Sequence, residues 1–311
     1  MSDFQSKLIA VTGATGWVGK TALHELQRIL EPDVFRQQVR AYASKPGLLS
    51  TTAYGQDQQF DYSVHPLAEL PEHAKKEPYG YLFHAAFFPR SGLDAVGVDA
   101  YIAINREITR LVCEAVVHSP GVRAVNISSG AAAAFDPTVP ASEEKIAENP
   151  YGALKYEEEV RIRELTASLI LRIYTLSGRF MTNPEIYALG DFLLKARDGS
   201  QIILKSKNRV VRGFGHAGNI VASGWAWLAS NHPPLDAPLA TVSEETDLTS
   251  LAQRVSRLFS LPETVSSVDP GLTPHVYSSD PAPFLGFLST YGLSALTLDE
   301  QITDTAAGLN G

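Results

Sequence analysis

Cysteine is nearly missing from this chain: Cys113 stands alone among 311 residues. A single thiol excludes an internal disulfide and any zinc cluster built on thiolates. It falls inside the helical pattern Ile108-Thr-Arg-Leu-Val-Cys-Glu-Ala-Val116, where a packing role is expected. Positive charge is in deficit as well: 26 Lys and Arg stand against 34 Asp and Glu, a formal net charge of −8. That balance leaves no electrostatic footprint for nucleic acid, although a few local arginines suffice for an anionic small molecule. Long apolar runs are missing too, so no membrane span is expected. The N-terminus passes directly into a strand, without a basic leader and apolar signal core. The expectation is a cytoplasmic protein with neither a nucleic-acid nor a membrane partner. No metal site is assigned.

What is present begins with an ordinary globular composition, 44% apolar and 19% charged, in a chain long enough for a large core. The most informative stretch is Lys7-Leu-Ile-Ala-Val-Thr-Gly-Ala-Thr-Gly-Trp-Val-Gly19. A short apolar run breaks into Gly13, Gly16 and Gly19, then continues as a helical pattern over 17–30. Strand, tight turn and helix in that order place a pyrophosphate on a helix N-terminus. Gly13 lets the chain turn, Gly16 lets the backbone approach phosphate, and Gly19 lets the helix pack closely. A glycine-rich turn with no ligand is the alternative reading.

Further strands are expected over 39–43, 81–88, 122–128 and 167–174, and long helices over 100–117 and 151–165. Such alternation predicts an α/β fold, a Rossmann-like doubly wound parallel sheet. Residues 51–76 are ambiguous, with a strand expected near Phe60-Asp-Tyr62. After Gly178 the alternation becomes irregular, with helices expected over 186–196, 219–229 and 248–259 and an irregular tail over 268–283. The expected division is a dinucleotide-binding domain over 1–178 and a smaller substrate-binding region over 179–311, packed on the carboxyl edge of the sheet.

The chemistry concentrates in Asn149-Pro-Tyr-Gly-Ala-Leu-Lys155. Pro150 suits a helix start, so Tyr151 and Lys155 share one face of the first turns. A phenol ordinarily titrates near 10, too high for easy proton exchange. A neighbouring ammonium favours the phenolate, which is how a tyrosine becomes a general acid/base. Upstream, Val125-Asn-Ile-Ser-Ser129 ends a strand at the sheet edge where open α/β sheets bind ligands. A hydroxyl there can hold a substrate oxygen; a turn-capping serine is the alternative. His84, among apolar residues in its strand, reads as a satisfied core or cofactor-lining histidine.

These motifs, in this order, resemble the extended branch of the short-chain dehydrogenase/reductase superfamily, that of the NAD(P)-dependent epimerases, dehydratases and reductases of nucleotide-sugars. Thr12-Gly-Ala-Thr-Gly-Trp-Val-Gly19 matches its glycine motif, Phe83-His-Ala-Ala86 its fourth-strand motif, and Asn105 its helix asparagine. The resemblance implies Ser129, Tyr151 and Lys155 as the catalytic set, with Lys155 on the nicotinamide ribose. It implies cofactor contacts from Gly13, Thr15, Gly16, Trp17, Val18, Gly19, Ala85 and Asn105, the last bracing the active-site helix. It also implies a homodimer paired through the two long helices.

Departures from the family pattern matter. The acidic pair that follows the catalytic hydroxyl in 4,6-dehydratases is Gly130-Ala131 here, which speaks against water elimination. Thr175 stands where an asparagine touches the sugar nucleotide, Arg179 replaces a proline, and Asn219 replaces an aspartate. Arg212 matches the arginine that clamps the substrate diphosphate, a task suited to a guanidinium fork; a surface salt bridge is the alternative. The second strand ends in Ser44-Lys45 rather than an acid, so Ser44 and Lys45 point to the 2′-phosphate of NADP(H) over NAD(H). The leading expectation is an oxidoreductase or epimerase of a nucleotide-linked sugar. An NADPH-dependent reductase of a non-sugar ketone and a catalytically silent dinucleotide-binding regulator remain open.

Overall fold

The computed structural model describes residue 4 and residues 7–52, 59–135 and 142–309. In chain order the elements are β1 (Ile9–Thr12), α1 (Trp17–Ile29), α2 (Pro32–Gln38), β2 (Val39–Ala43), β3 (Gly47–Thr52), β4 (Gln59–Pro66), α3 (Leu70–Lys76), β5 (Tyr81–His84), α4 (Leu93–Val96), α5 (Val98–Val117), β6 (Arg123–Ser129), α6 (Glu143–Glu148), α7 (Pro150–Leu165) and β7 (Ser168–Ile173). There follow β8 (Thr175–Ser177), α8 (Ala188–Arg197), β9 (Ile203–Leu204), β10 (Val210–His216), α9 (Ala217–Leu228), β11 (Leu239–Ala240), β12 (Glu244–Asp247), α10 (Leu248–Leu258), β13 (Val265–Ser266), β14 (His275–Tyr277), α11 (Ala282–Thr290) and α12 (Leu298–Leu309). The chain divides into two compact units, Met1–Arg172 with Val221–Leu239, and Ile173–Ile220 with Ala240–Gly311.

The first unit carries the eight-stranded sheet, in the order β11-β7-β6-β5-β1-β2-β4-β3. β1 runs parallel to β2 on one side and to β5 on the other, with Ile9 opposite both Val39 and Tyr81. The chain thus leaves β1 in one direction and later resumes from its other flank. That reversal opens a crevice at the carboxyl ends of β1 and β5, the usual ligand position in an open α/β sheet. Every residue of β1 is buried, as expected for a central strand covered on both faces. On one face Ala10, Leu82 and Ala124 pack with Leu70, Val112 and Ile162 from α3, α5 and α7, each larger side chain contributing about 1.5–3 kcal/mol by leaving water.

The expected parallel α/β architecture is present, and it differs from the sequence reading in instructive places. Pro32, a residue that breaks helix interiors, is the first residue of α2, where its missing N–H costs nothing. From Gly47 the chain returns as β3, antiparallel to β4. The strand near Phe60-Asp-Tyr62 is β4, longer than expected. The strand expected over 81–88 stops at His84, because its neighbour β1 ends at Thr12, directly opposite. The tail expected to be irregular over 268–283 contains β14 and the start of α11.

In the second unit β10 pairs antiparallel with β12 and parallel with both β14 and β8. A separate parallel pair joins β9 and β13. Among the described residues no helix is long and apolar enough to cross a membrane.

Candidate active site

The turn after β1 is built by close backbone approach. Gly13 has φ +71°, and a Cβ there would lie 2.5 Å from the Ala85 carbonyl oxygen, so only glycine fits. A Cβ on Gly19 would lie 2.0 Å from the Gly13 oxygen, which is how α1 seats on the turn. Gly16 differs: a Cβ would meet only the Gly13 oxygen, at 3.3 Å, and the residue is exposed. Gly16 also caps α1 without a side chain, and no acid stands in the first turn. A helix N-terminus with no competing carboxylate, reached over a side-chain-free surface, fits a pyrophosphate. Thr15 is exposed beside it and Val18 half-buried, whereas the Trp17 side chain is buried, leaving its backbone as the part available to a ligand. Ala85 is half-buried at the end of β5, and Ser44 and Lys45 are exposed just past β2.

The candidate acid/base residues come from β6 and α7. Asn149 caps that helix, its side chain accepting from the Gly152 N–H at 3.1 Å, and Pro150 occupies the first position. Tyr151 is thereby fixed in the first turn, with its phenol hydrogen-bonded to Ser129 at the end of β6. Ser129 also accepts the Ala131 N–H at 3.2 Å, so it caps the single turn that follows and holds the phenol at once. The capping reading of Ser129 is therefore observed. The Phe87 ring meets Tyr151 edge to face, centroids 5.7 Å apart.

Lys155 is directed differently from the sequence expectation. Its Nζ donates to the Ile127 carbonyl at 2.8 Å and to Glu158 Oε2 at 2.9 Å, and lies 4.0 Å from the Phe87 ring centroid. The ammonium is buried and neutralised by Glu158. Burial pushes the Tyr151 phenol above its ordinary value; the Ser129 hydrogen bond and the Arg90 charge pull it down, while Glu158 pushes it further up. The expected lowering of the phenol by Lys155 is therefore corrected, because Glu158 spends that charge.

Glu158 is the residue that sequence reasoning missed. It is fully buried, and His84 Nε2 donates to its Oε1 at 2.9 Å. His84 Nδ1 in turn bonds Thr12 Oγ1 at 2.7 Å, so β1, β5 and α7 are tied by one polar chain. His84 is thus the satisfied buried histidine expected from the sequence. Burial alone raises the Glu158 carboxyl, but Lys155 and His84 outweigh it and hold it below its ordinary value. Glu159 was missed as well: Arg172 grips both its oxygens, at 2.8 and 2.6 Å, and Ser128 donates to it. The available clue was two acids one turn beyond Lys155, on a helix otherwise read only for its period.

Asn105 accepts the Phe88 N–H at 2.8 Å and donates to the Phe88 and Tyr101 carbonyls. Buried there, it braces the segment after β5.

In the second unit Thr175 opens β8. Arg212, on β10, uses Nη1 on the Val211 carbonyl and on His275, and its remaining nitrogens make no hydrogen bond among the described residues. Arg179 pairs with Asp304, which also accepts from His216 at 2.9 Å. Asn219 holds the backbone at Ser294 and Leu296. Arg179 and Asn219, read as departures from the family pattern, thus serve the fold of this unit.

Solved structures share this architecture. A UDP-N-acetylglucosamine 4-epimerase of Methanobrevibacter ruminantium, in complex with UDP-N-acetylmuramic acid, superposes with TM-score 0.72 at 16% identity, covering 98% of this chain and 99% of that one. The UDP-glucose 4-epimerase of Thermotoga maritima, with UDP-glucose, gives 0.68 at 14% identity over 97% and 98%. The Bordetella bronchiseptica enzyme WbmF, in complex with NADH, gives 0.70 at 16% identity over 100% and 94%. No curated protein matches by sequence. Residues 9–235 match a family model, a span that takes in the glycine turn, Ser129, Tyr151 and Lys155. The chain therefore belongs to the NAD dependent epimerase/dehydratase family.

Proposed function

We propose that the chain interconverts a hydroxyl and a keto group on a nucleotide-linked sugar, as an epimerase or reductase, with Tyr151 as acid/base. The observation that carries this is the Tyr151 phenol hydrogen-bonded to Ser129 at the carboxyl end of the sheet, in the unit that holds the glycine turn. Both substrate-bound structures described above hold a UDP-sugar.

The glycine turn and the first turn of α1 hold the dinucleotide diphosphate. The nicotinamide, when bound, supplies the hydride acceptor and donor. The remaining chemistry is the chain's own. Ser129 offers its hydroxyl to the reacting oxygen and Tyr151 takes or returns the proton there. Lys155, held by Ile127 and Glu158, lies against the Phe87 ring beside Tyr151. Gly130-Ala131 supplies no carboxyl group for water elimination. Ser44 and Lys45 offer a hydroxyl and a cation after β2, favouring NADP(H) over NAD(H); equal affinity for both by fluorescence titration removes that preference. Thr175 and Arg212 are the remaining candidate substrate contacts, Arg212 offering its guanidinium to a diphosphate. The assembly is a homodimer through α5 and α7, read by light scattering as twice the chain mass.

The experiment is a panel of UDP-, dTDP- and GDP-sugars assayed for conversion and thermal shift, with and without NADPH. Conversion of a nucleotide-sugar with competition by its nucleoside diphosphate supports the reading. A non-sugar ketone as the sole substrate, indifferent to nucleotides, overturns it.

A further inference from the structure

Three side chains outside the active site converge near the carboxyl end of β4. His65 lies next to last in β4, Glu69 on the single turn Leu67–Glu69, and His73 on α3. The three follow one another at intervals of four residues. One donor atom from each lies within 4.8 Å of the other two. Glu69 Oε2 stands 3.8 Å from His65 Nδ1 and 3.7 Å from His73 Nε2. These separations exceed a hydrogen bond and approach the edge of a tetrahedral zinc polyhedron, about 3.4 Å for metal bonds of about 2.0–2.2 Å.

The surroundings prepare this set for a metal. His73 turns its other nitrogen, Nδ1, to the Tyr42 hydroxyl at 2.7 Å. Tyr42 is fully buried and its hydroxyl also bonds that of Tyr79. With Tyr42 donating to Tyr79, the His73 Nδ1–H donates to Tyr42 and Nε2 is left with its lone pair facing Glu69. A metal-binding imidazole is oriented in this way, by a fixed acceptor on its far nitrogen. The two rings stand edge to face with centroids 5.1 Å apart, and Tyr42 packs against both. Their backbones are equally fixed: His65 pairs with Tyr42 across β2 and β4, and Leu67 and Leu70 are buried between the ligands.

We propose that His65, Glu69 and His73 bind a divalent cation of the zinc class, with Tyr42 orienting His73. Two imidazoles and one carboxylate select zinc over the hard cations magnesium and calcium. Half-exposed ligands leave the fourth position to water. The cation clasps the end of β4 to α3, beside β2.

The test uses the full chain, stripped with a chelator and titrated calorimetrically with ZnCl2 and, separately, MgCl2. One zinc per chain is expected, with no saturation by magnesium over the same range. H65Q and H73Q should each weaken zinc binding at least about tenfold, and Y42F about tenfold, while H118Q, outside the cluster, should leave it unchanged. Circular dichroism checks the fold, and the more exposed H65Q carries the test should H73Q or Y42F fail to fold. Absence of zinc binding by the wild-type chain, or equal binding by wild type and H65Q, overturns the proposal.

Discussion

Gly13 and Gly16 sit in one turn and obey different constraints. Gly13 has a positive φ and no room for a Cβ, so Gly13→Ala should destabilise the fold by more than about 2 kcal/mol. Gly16 has φ −81° and only one near contact, so Gly16→Ala should change stability by less than about 1 kcal/mol. It should nonetheless weaken dinucleotide binding at least tenfold, because the methyl group stands where phosphate must approach. Urea denaturation and fluorescence titration read the two effects separately. Glu158 makes a second residue-scale prediction. Its charge pushes the Tyr151 phenol up and engages Lys155. Glu158→Gln should therefore move the phenol limb of the kcat/KM–pH profile to lower pH, while kcat falls as Lys155 and His84 lose their anchor. An unmoved limb denies the coupling. The glycines and the Tyr151–Lys155 pair are legible in the sequence because their constraint is local. Glu158 is not, since its partner His84 is 74 residues away.

Elements are legible where burial follows a period. α5 buries Tyr101, Asn105, Leu111, Val112, Ala115 and Val116 along one face, and its pattern reads as a helix at once. α7 buries Lys155, Glu158 and Glu159 inside, so hydrophobic periodicity conveys its existence but not its inward-facing charges. α2 escapes because Pro32 is equally a breaker and a first helical residue; only the structure tells which. α12 shows what such polar faces do for stability. Burial raises the Asp304 carboxyl, yet hydrogen bonds from His216 and Arg179 bring it down from an ordinary 3.8 to about 2. After solvent screening is allowed for, Asp304 stabilises the fold by about 1 kcal/mol above pH about 4, a contribution lost as pH falls toward about 2. Asp304→Asn should lower stability by about that amount at neutral pH and flatten its fall in acid, as read by denaturant midpoints against pH.

At the scale of the molecule, the alternation of strand and helix through β7 is enough to predict a doubly wound sheet, since parallel strands need helical crossovers. The second unit resists the same reading: its strands are two to seven residues long and pair across distant sequence, as β10 does with β8, β12 and β14. The residues of the first unit accordingly carry the central claim, that Tyr151 exchanges a proton with a sugar hydroxyl held at Ser129. The most direct measurement compares turnover of the converted nucleotide-sugar by wild type and Tyr151→Phe, with dinucleotide affinity measured on the same samples. The account predicts a loss of at least about 100-fold in turnover with affinity unchanged; turnover by the phenylalanine variant equal to wild type would contradict it.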